Sequence, residues 1–215
     1  LINLFLAVLL FITPQQEVRS SSHSIVKVNR NTDTICTGFI INTPGTVNTY
    51  VMTAKHCRDP ITKTDTGLPT AIIQQNGHIS FVNNVFSSES QDIMLLEIDK
   101  LPLNGFILSS DRMQPGGQYY TISHPINYEY IYSPIIGSSV FKESIKTEYR
   151  SVDVGYDNVI ICPGCAEGTS GAPIISDGKV FGILLAKSTS IPSVLFSTSS
   201  INILRFMTAL KGIIH

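Results

Sequence analysis

Gly168-Thr169-Ser170-Gly171-Ala172-Pro173 is the stretch that decides how this chain is read. On its own, a serine between glycines is an ordinary turn. Two other segments change its weight. Thr53-Ala54-Lys55-His56-Cys57 lies far upstream, and Gln91-Asp92-Ile93-Met94-Leu95-Leu96 lies between. Together they supply a histidine, an aspartate and a serine in that order, each in a distinctive local setting. That is the material of an acyl-transfer triad.

Each residue type has a reason to be there. Serine is a poor nucleophile at neutral pH and needs a base to take its proton as it attacks. Imidazoles titrate near neutrality, so a histidine can take that proton and return it to a leaving amine. A buried carboxylate fixes the imidazole tautomer and stabilises the imidazolium. Ser170 is therefore read as nucleophile, His56 as general base and acid, and Asp92 as the orienting acid. Asp99, at the far end of the strand that Asp92 begins, is the weaker alternative. Attack creates an oxyanion, and each preorganised donor aimed at it is worth roughly 3–4 kcal/mol. A turn with glycine at 168 lets backbone N–H groups point into the site, so the N–H groups of Gly168 and Ser170 are assigned to that role. The rival elbow motif, Gly-x-Ser-x-Gly, fails here: Ala172 holds the fifth position, the order of the triad differs, and alternating helices are lacking.

Outward from these segments, helical periodicity is scarce. Short β-rich runs separated by Gly, Pro, Asn, Asp and Ser dominate, which predicts an all-β fold. Candidate strands include Cys36–Ile41, Tyr50–Ala54, Ile93–Ile98, Gln118–Ser123, Ile135–Phe141, Ser151–Val154, Val159–Ile161, Ala172–Ile175 and Val180–Leu185. Asp177-Gly178 between two apolar runs is a hairpin signal. One helix is expected at the C-terminus, capped by Ser200, with a stripe through Ile201, Leu204, Thr208 and Ala209 or Leu210 and a stop at Gly212. The stretch from Leu101 to Gly117 is the natural crossing between two halves. His56 and Asp92 fall in the first half and Ser170 in the second, so the site should lie in the cleft between them.

Composition bounds the rest. The chain has 215 residues, 43% hydrophobic and 14% charged, which fits a globular protein and excludes a disordered one. The net charge is −1 with scattered cations, so no nucleic-acid surface is expected. The apolar run over residues 1–12 is shorter than the roughly 20 residues of a membrane span and reads as an export signal. It lacks an initiator Met, a basic flank and a small-residue cleavage site, so the extreme start is read as missing. Membrane contact is expected only through residues 1–12 if they are uncleaved. Four cysteines fit an exported protein. Cys36 and Cys57 end two strand-like segments that could pair. Cys162-Pro163-Gly164-Cys165 lacks the βαβ setting of a redox motif and the further ligands of a zinc site, which leaves a structural bridge or two thiols. No metal or cofactor is expected.

At this point the chain resembles the chymotrypsin-like (trypsin-fold) serine endopeptidases. The matching pieces are Cys36-Thr37-Gly38-Phe39-Ile40-Ile41, the His56, Asp92 and Ser170 segments, and Val180-Phe181-Gly182-Ile183. The resemblance implies two six-stranded antiparallel β-barrels with the active site between them and a C-terminal helix. It also implies a Cys36–Cys57 bridge. Cys36-Thr37-Gly38, its spacing to His56-Cys57, and His124-Pro125 look like the secreted bacterial lysyl-endopeptidase branch, while the short loops also occur in viral members. The domain layout expected is a leader over 1–22, an N-terminal barrel over 23–110 and a C-terminal barrel over 111–215.

Departures from that family matter as much. Thr169 stands where the digestive enzymes carry the aspartate that pairs with a newly cut N-terminus, so activation by that ion pair is not expected. Cys165 lies one position further from Ser170 than usual, so the pocket rim should be rebuilt. By the same resemblance the substrate pocket has its base near Gly164 and Ser193, its wall at Leu185 and Lys187, and Glu167 near the rim. It lacks the acid that selects Arg or Lys. The expected preference is an uncharged, small-to-medium side chain, with an acidic one selected by Lys187 as the alternative. Cleavage of a peptide library checks this, and a strong Arg or Lys preference would rule out both versions. The function expected is an exported, monomeric, cofactor-free serine endopeptidase acting on proteins or peptides. A non-catalytic binding module on the same scaffold, or a viral polyprotein-processing protease, are the alternatives.

Overall fold

A computed structural model describes residues 22–30, 33–43, 45–58, 69–125, 130–149, 152–188, 191 and 193–212. The leader expected over 1–22 lies almost wholly outside them. Six strands form the first barrel: β1 (Ile25–Arg30), β2 (Asp33–Ile41), β3 (Thr49–Thr53), β4 (Ala71–Gln74), β5 (Ile79–Ser87) and β6 (Met94–Ile98). They close in the order β1-β2-β3-β6-β5-β4, with antiparallel neighbours throughout. All five residues of β3 and of β6 are buried. These two strands precede His56 and follow Asp92, so fully buried strands flank both residues.

The second barrel uses β8 (Gln118–Ser123), β9 (Ile131–Tyr149), β10 (Val152–Ile161), β11 (Pro173–Ser176), β12 (Lys179–Lys187) and β13 (Val194–Ser199). Its sheet runs β11-β8-β9-β10-β13-β12, and a β11–β12 pairing closes it. The short β7 (Ile107–Leu108) adds in parallel to β12 outside the ring. As the dipeptide predicted, Asp177-Gly178 turns β11 into β12, with both residues at positive φ. The crossing segment is bound to the first barrel: Phe106 exchanges backbone bonds with Ile40 and Asn42, and its ring meets Phe39 edge-on at 5.9 Å.

One apolar core spans both barrels. Phe39, Met52 and Leu95 from the first join Ile122, Ile175, Ile183 and Leu185 from the second and Ile203 from the helix. Burial of each such side chain is worth about 1.5–3 kcal/mol, so the two barrels are docked rather than tethered. A second cluster fills the other barrel around Ile135, Ile160, Leu184, Leu195 and the Cys162 and Cys165 pair.

Two local expectations change. The separate strands read at Ile135–Phe141, Ser151–Val154 and Val159–Ile161 are one long hairpin, β9 with β10, whose ladder runs from Ile161↔Ile136 to Val152↔Tyr149. The C-terminal helix α1 (Ser200–Ala209) has Ser199, not Ser200, at its N-cap, and Ser199 makes no side-chain cap bond. Its buried face carries Ile203, with Phe206, Met207 and Leu210 packed alongside, while Thr208 and Ala209 are exposed.

The cap is supplied from β10. The buried Asp157 carboxylate accepts from the Ser199 N–H at 2.6 Å, from the Ser199 hydroxyl, and from Asn202 Nδ2 at 3.1 Å. A carboxylate at a helix N-terminus suits the macrodipole. Burial nevertheless pushes the Asp157 carboxyl above its ordinary 3.8, and the bonds from Ser199 with the attraction of Arg112 offset this only in part. A raised native value means that the folded chain holds the proton more tightly than the unfolded one. Stability from this group is therefore complete below the ordinary value and is lost as pH rises through the raised one. Melting curves against pH should show that loss, and Asp157→Asn should flatten it. An unchanged slope in the variant would refute the assignment.

Candidate active site

His56 sits on a single 3-10 turn, Lys55–Arg58, that leaves β3. Asp92 ends the loop before β6 and is 1% exposed. The carboxylate holds the histidine twice. Oδ1 accepts the His56 backbone N–H at 2.8 Å, and Oδ2 lies 2.6 Å from Nδ1. A carboxylate only accepts, so Nδ1 carries the proton and Nε2 is left as the basic nitrogen. The loop that delivers Asp92 is itself pinned: Lys55 Nζ donates to the Ser88 carbonyl at 2.7 Å and the Ser88 N–H to the Ile93 carbonyl at 3.1 Å. Asp99, the alternative acid, is exposed and accepts from Asn83 at 2.9 Å, away from the histidine.

Ser170 lies in the turn before β11. Gly168 and Gly171 both take positive φ, 90° and 83°. Gly171 is also required sterically. A Cβ there would lie 2.2 Å from the Thr37 carbonyl oxygen, 2.3 Å from Thr53 Oγ1 and 2.9 Å from the Ala54 nitrogen. This contact brings the neighbour of Ser170 against residues two and three positions before His56.

The peptide groups of the turn are nearly all paired. The Gly168 carbonyl accepts from Thr37 Oγ1 at 2.8 Å, and the Ser170 carbonyl from the Thr37 N–H at 2.9 Å. Thr169 donates from its N–H and its hydroxyl to the Ala166 carbonyl, Gly171 donates to Leu184, and Ala172 donates to Thr169. Among the described residues, no acceptor faces the N–H groups of Gly168 and Ser170. Gly168 is buried and Ser170 half-buried, and backbone donors in such positions usually find a partner. The Ser170 hydroxyl donates to the Leu185 carbonyl at 2.8 Å. That carbonyl is available because β12 carries an irregularity between Leu184 and Ala186 in its pairing with β13.

Both disulfides are formed, Cys36–Cys57 and Cys162–Cys165. The first joins the residue before Thr37 to the residue after His56. Ligand atoms of Cys36, His56 and Cys57 lie within 4.8 Å of one another, but the two sulfurs are bonded to each other and offer no thiolate to a cation. The Cys162–Cys165 bridge closes the loop before the serine turn. Of the residues expected to line the substrate pocket, Gly164 lies in this loop against the Ser133 hydroxyl, and the Ser193 carbonyl accepts the Cys162 N–H at 2.8 Å. Leu185 is buried beside Ser170, and Glu167 and Lys187 are exposed.

Thr37 was legible only as part of a strand motif. Nothing in a β-rich run signals that one hydroxyl in it bonds a carbonyl 131 residues further on. His124 also meets Thr37. It follows β8 but is buried, its N–H donates to Thr37 Oγ1 at 2.9 Å, and its ring meets Tyr130 at 4.0 Å.

The sequence matches the trypsin-like peptidase domain model over residues 36–183. The chain belongs to that family. Its fold is shared with solved proteases at low identity. The active form of the Rv3671c protease from M. tuberculosis is 17% identical, with a TM-score of 0.70 over 91% of this chain and 84% of that one. Deg5 is 18% identical, with a TM-score of 0.67 over 92% and 93%. The serine endoprotease from Yersinia pestis is 20% identical, with a TM-score of 0.67 over 93% of this chain but only 66% of that one. No curated protein sequence matches the chain.

Proposed function

We propose that this protein is a serine endopeptidase that works through Ser170, His56 and Asp92. The observation that carries the reading is the double hold of Asp92 on His56, which sets the tautomer a general base needs. The two unpaired N–H groups beside Ser170 support it.

The chemistry follows from these groups. The Ser170 hydroxyl leaves the Leu185 carbonyl, turns about χ1 and gives its proton to His56 Nε2 as Oγ attacks the scissile carbonyl. Asp92 stabilises the imidazolium without taking its proton. The oxygen of the tetrahedral intermediate takes the Gly168 and Ser170 N–H groups. His56 then protonates the leaving amine as the C–N bond breaks, leaving an acyl-Ser170. Water, deprotonated by His56, releases the acid and restores Ser170.

The pocket reading stays as the sequence suggested, an uncharged side chain over the Cys162–Cys165 loop, in a monomer acting on protein or peptide substrates. The two disulfides fit an oxidising, extracytoplasmic compartment, and no described helix is long and apolar enough to cross a membrane. A fluorophosphonate probe tests the mechanism. It should label the folded wild type and lose that labelling in Ser170→Ala; a wild type that resists the probe makes the fold a binding module instead.

A further inference from the structure

Two peptide units of the serine turn, 168–169 and 170–171, are held at both ends, and the same residue of the other barrel holds both carbonyls. We propose that Thr37 is the positioning residue of the oxyanion site; this rests on the peptidase reading above. It touches the turn, not the substrate.

A peptide group is planar, so fixing its carbonyl and its N–H fixes its plane. In unit 168–169 the carbonyl meets Thr37 Oγ1 and the N–H meets the Ala166 carbonyl. In unit 170–171 the carbonyl meets the Thr37 N–H and the N–H meets the Leu184 carbonyl. The unit between them gives its carbonyl to the Ala172 N–H at 3.0 Å, so its own N–H, that of Ser170, must face the opposite way. The Gly168 N–H belongs to the residue whose carbonyl Thr37 anchors.

Thr37 is suited to this by burial and by its hydroxyl. It is fully buried, so water cannot replace it. Its one hydroxyl proton goes to Gly168, and the oxygen accepts from the His124 N–H, which leaves the proton no freedom to point elsewhere. Its own carbonyl accepts the Thr53 hydroxyl at 2.8 Å, anchoring the clamp to β3, the strand that leads to His56. Without the hydroxyl, the Gly168 carbonyl loses its donor and unit 168–169 keeps only the bond from its N–H to the Ala166 carbonyl. A carbonyl rotated into the cleft would set an acceptor where negative charge must develop.

Thr37→Val keeps the shape and removes the hydroxyl, and Thr37→Ser restores it. The burst of nitrophenol from 4-nitrophenyl acetate gives the acylation rate, and a cleaved peptide gives kcat and KM. Thr37→Val should acylate about 10–100-fold more slowly, the loss falling on kcat with KM little changed, and Thr37→Ser should return most of the rate. A merely structural role predicts instead a common loss of active protein, seen as a smaller burst amplitude at an unchanged rate. Should Thr37→Val fail to fold, Thr37→Ala against Thr37→Ser gives the same comparison, since the two differ by one hydroxyl. Equal rates in that pair, or a wild-type rate in Thr37→Val, overturn the role of Thr37 while fluorophosphonate labelling of the wild type still stands. A wild type that is not labelled overturns the peptidase reading itself.

Discussion

Ser170→Ala is expected to lower kcat by about 10⁶-fold, leaving only the modest acceleration that binding and oxyanion donors give without a nucleophile. The reason is local. The substitution removes the attacking atom and nothing else that the fold uses, because the hydroxyl makes a single described bond, to the Leu185 carbonyl. That carbonyl sits beside the half-exposed serine, so water can replace the lost donor. Stability should therefore change by less than about 1 kcal/mol. Single-turnover cleavage with a melting curve on the same sample separates the two effects. A variant that retains a tenth of wild-type turnover would remove Ser170 from the mechanism.

Asp92→Asn is expected to cost about 10⁴-fold in kcat while the geometry stays nearly intact. The present carboxylate accepts at both oxygens, from the His56 backbone N–H and from Nδ1. An amide offers one acceptor and one donor. If its oxygen keeps the backbone N–H, its NH₂ group faces Nδ1, which must then become the acceptor. The ring proton moves to Nε2, the nitrogen that should take the proton of Ser170, and the base is lost. The reverse orientation sets NH₂ against the backbone N–H, two donors facing in a buried site, which is worse. Nitrogen-15 spectra of the imidazole should show the proton on Nδ1 in the wild type and on Nε2 in the variant. Activity within tenfold of wild type would mean that Asp92 is a structural anchor for the turn and not the orienting acid.

Much of this architecture was legible in the chain, and the failures have physical causes. The strands around His56, Asp92 and Ser170 are short apolar runs bounded by turn residues, and such runs report burial directly. The β9–β10 hairpin was cut short because Lys142, Glu143, Lys146 and Glu148 interrupt its apolar pattern. Its ladder is made by backbone groups, which side-chain composition does not report. The helix was placed correctly but turned wrongly. Apolar residues occur on several of its faces, and its rotation is set by β13 running straight into it and by Asp157 gripping Ser199 from another strand. Within the site, the three residues of the proposed triad were visible because each sits in a local motif. The clamp at Thr37, the parking place of the Ser170 hydroxyl on Leu185 and the paired carbonyls of the turn were not, since each depends on a contact between distant segments.

The contact between Thr37 and the serine turn has a consequence for how the protein comes into being. Its two halves lie 131 residues apart in the chain, so it closes late, after most of the polypeptide has been made. The N-terminal barrel alone would hold a histidine and its acid with nothing to attack. The C-terminal barrel alone would hold a serine in a turn with its backbone unclamped. On the proposed mechanism, cutting ability would belong to neither piece of a growing or broken chain.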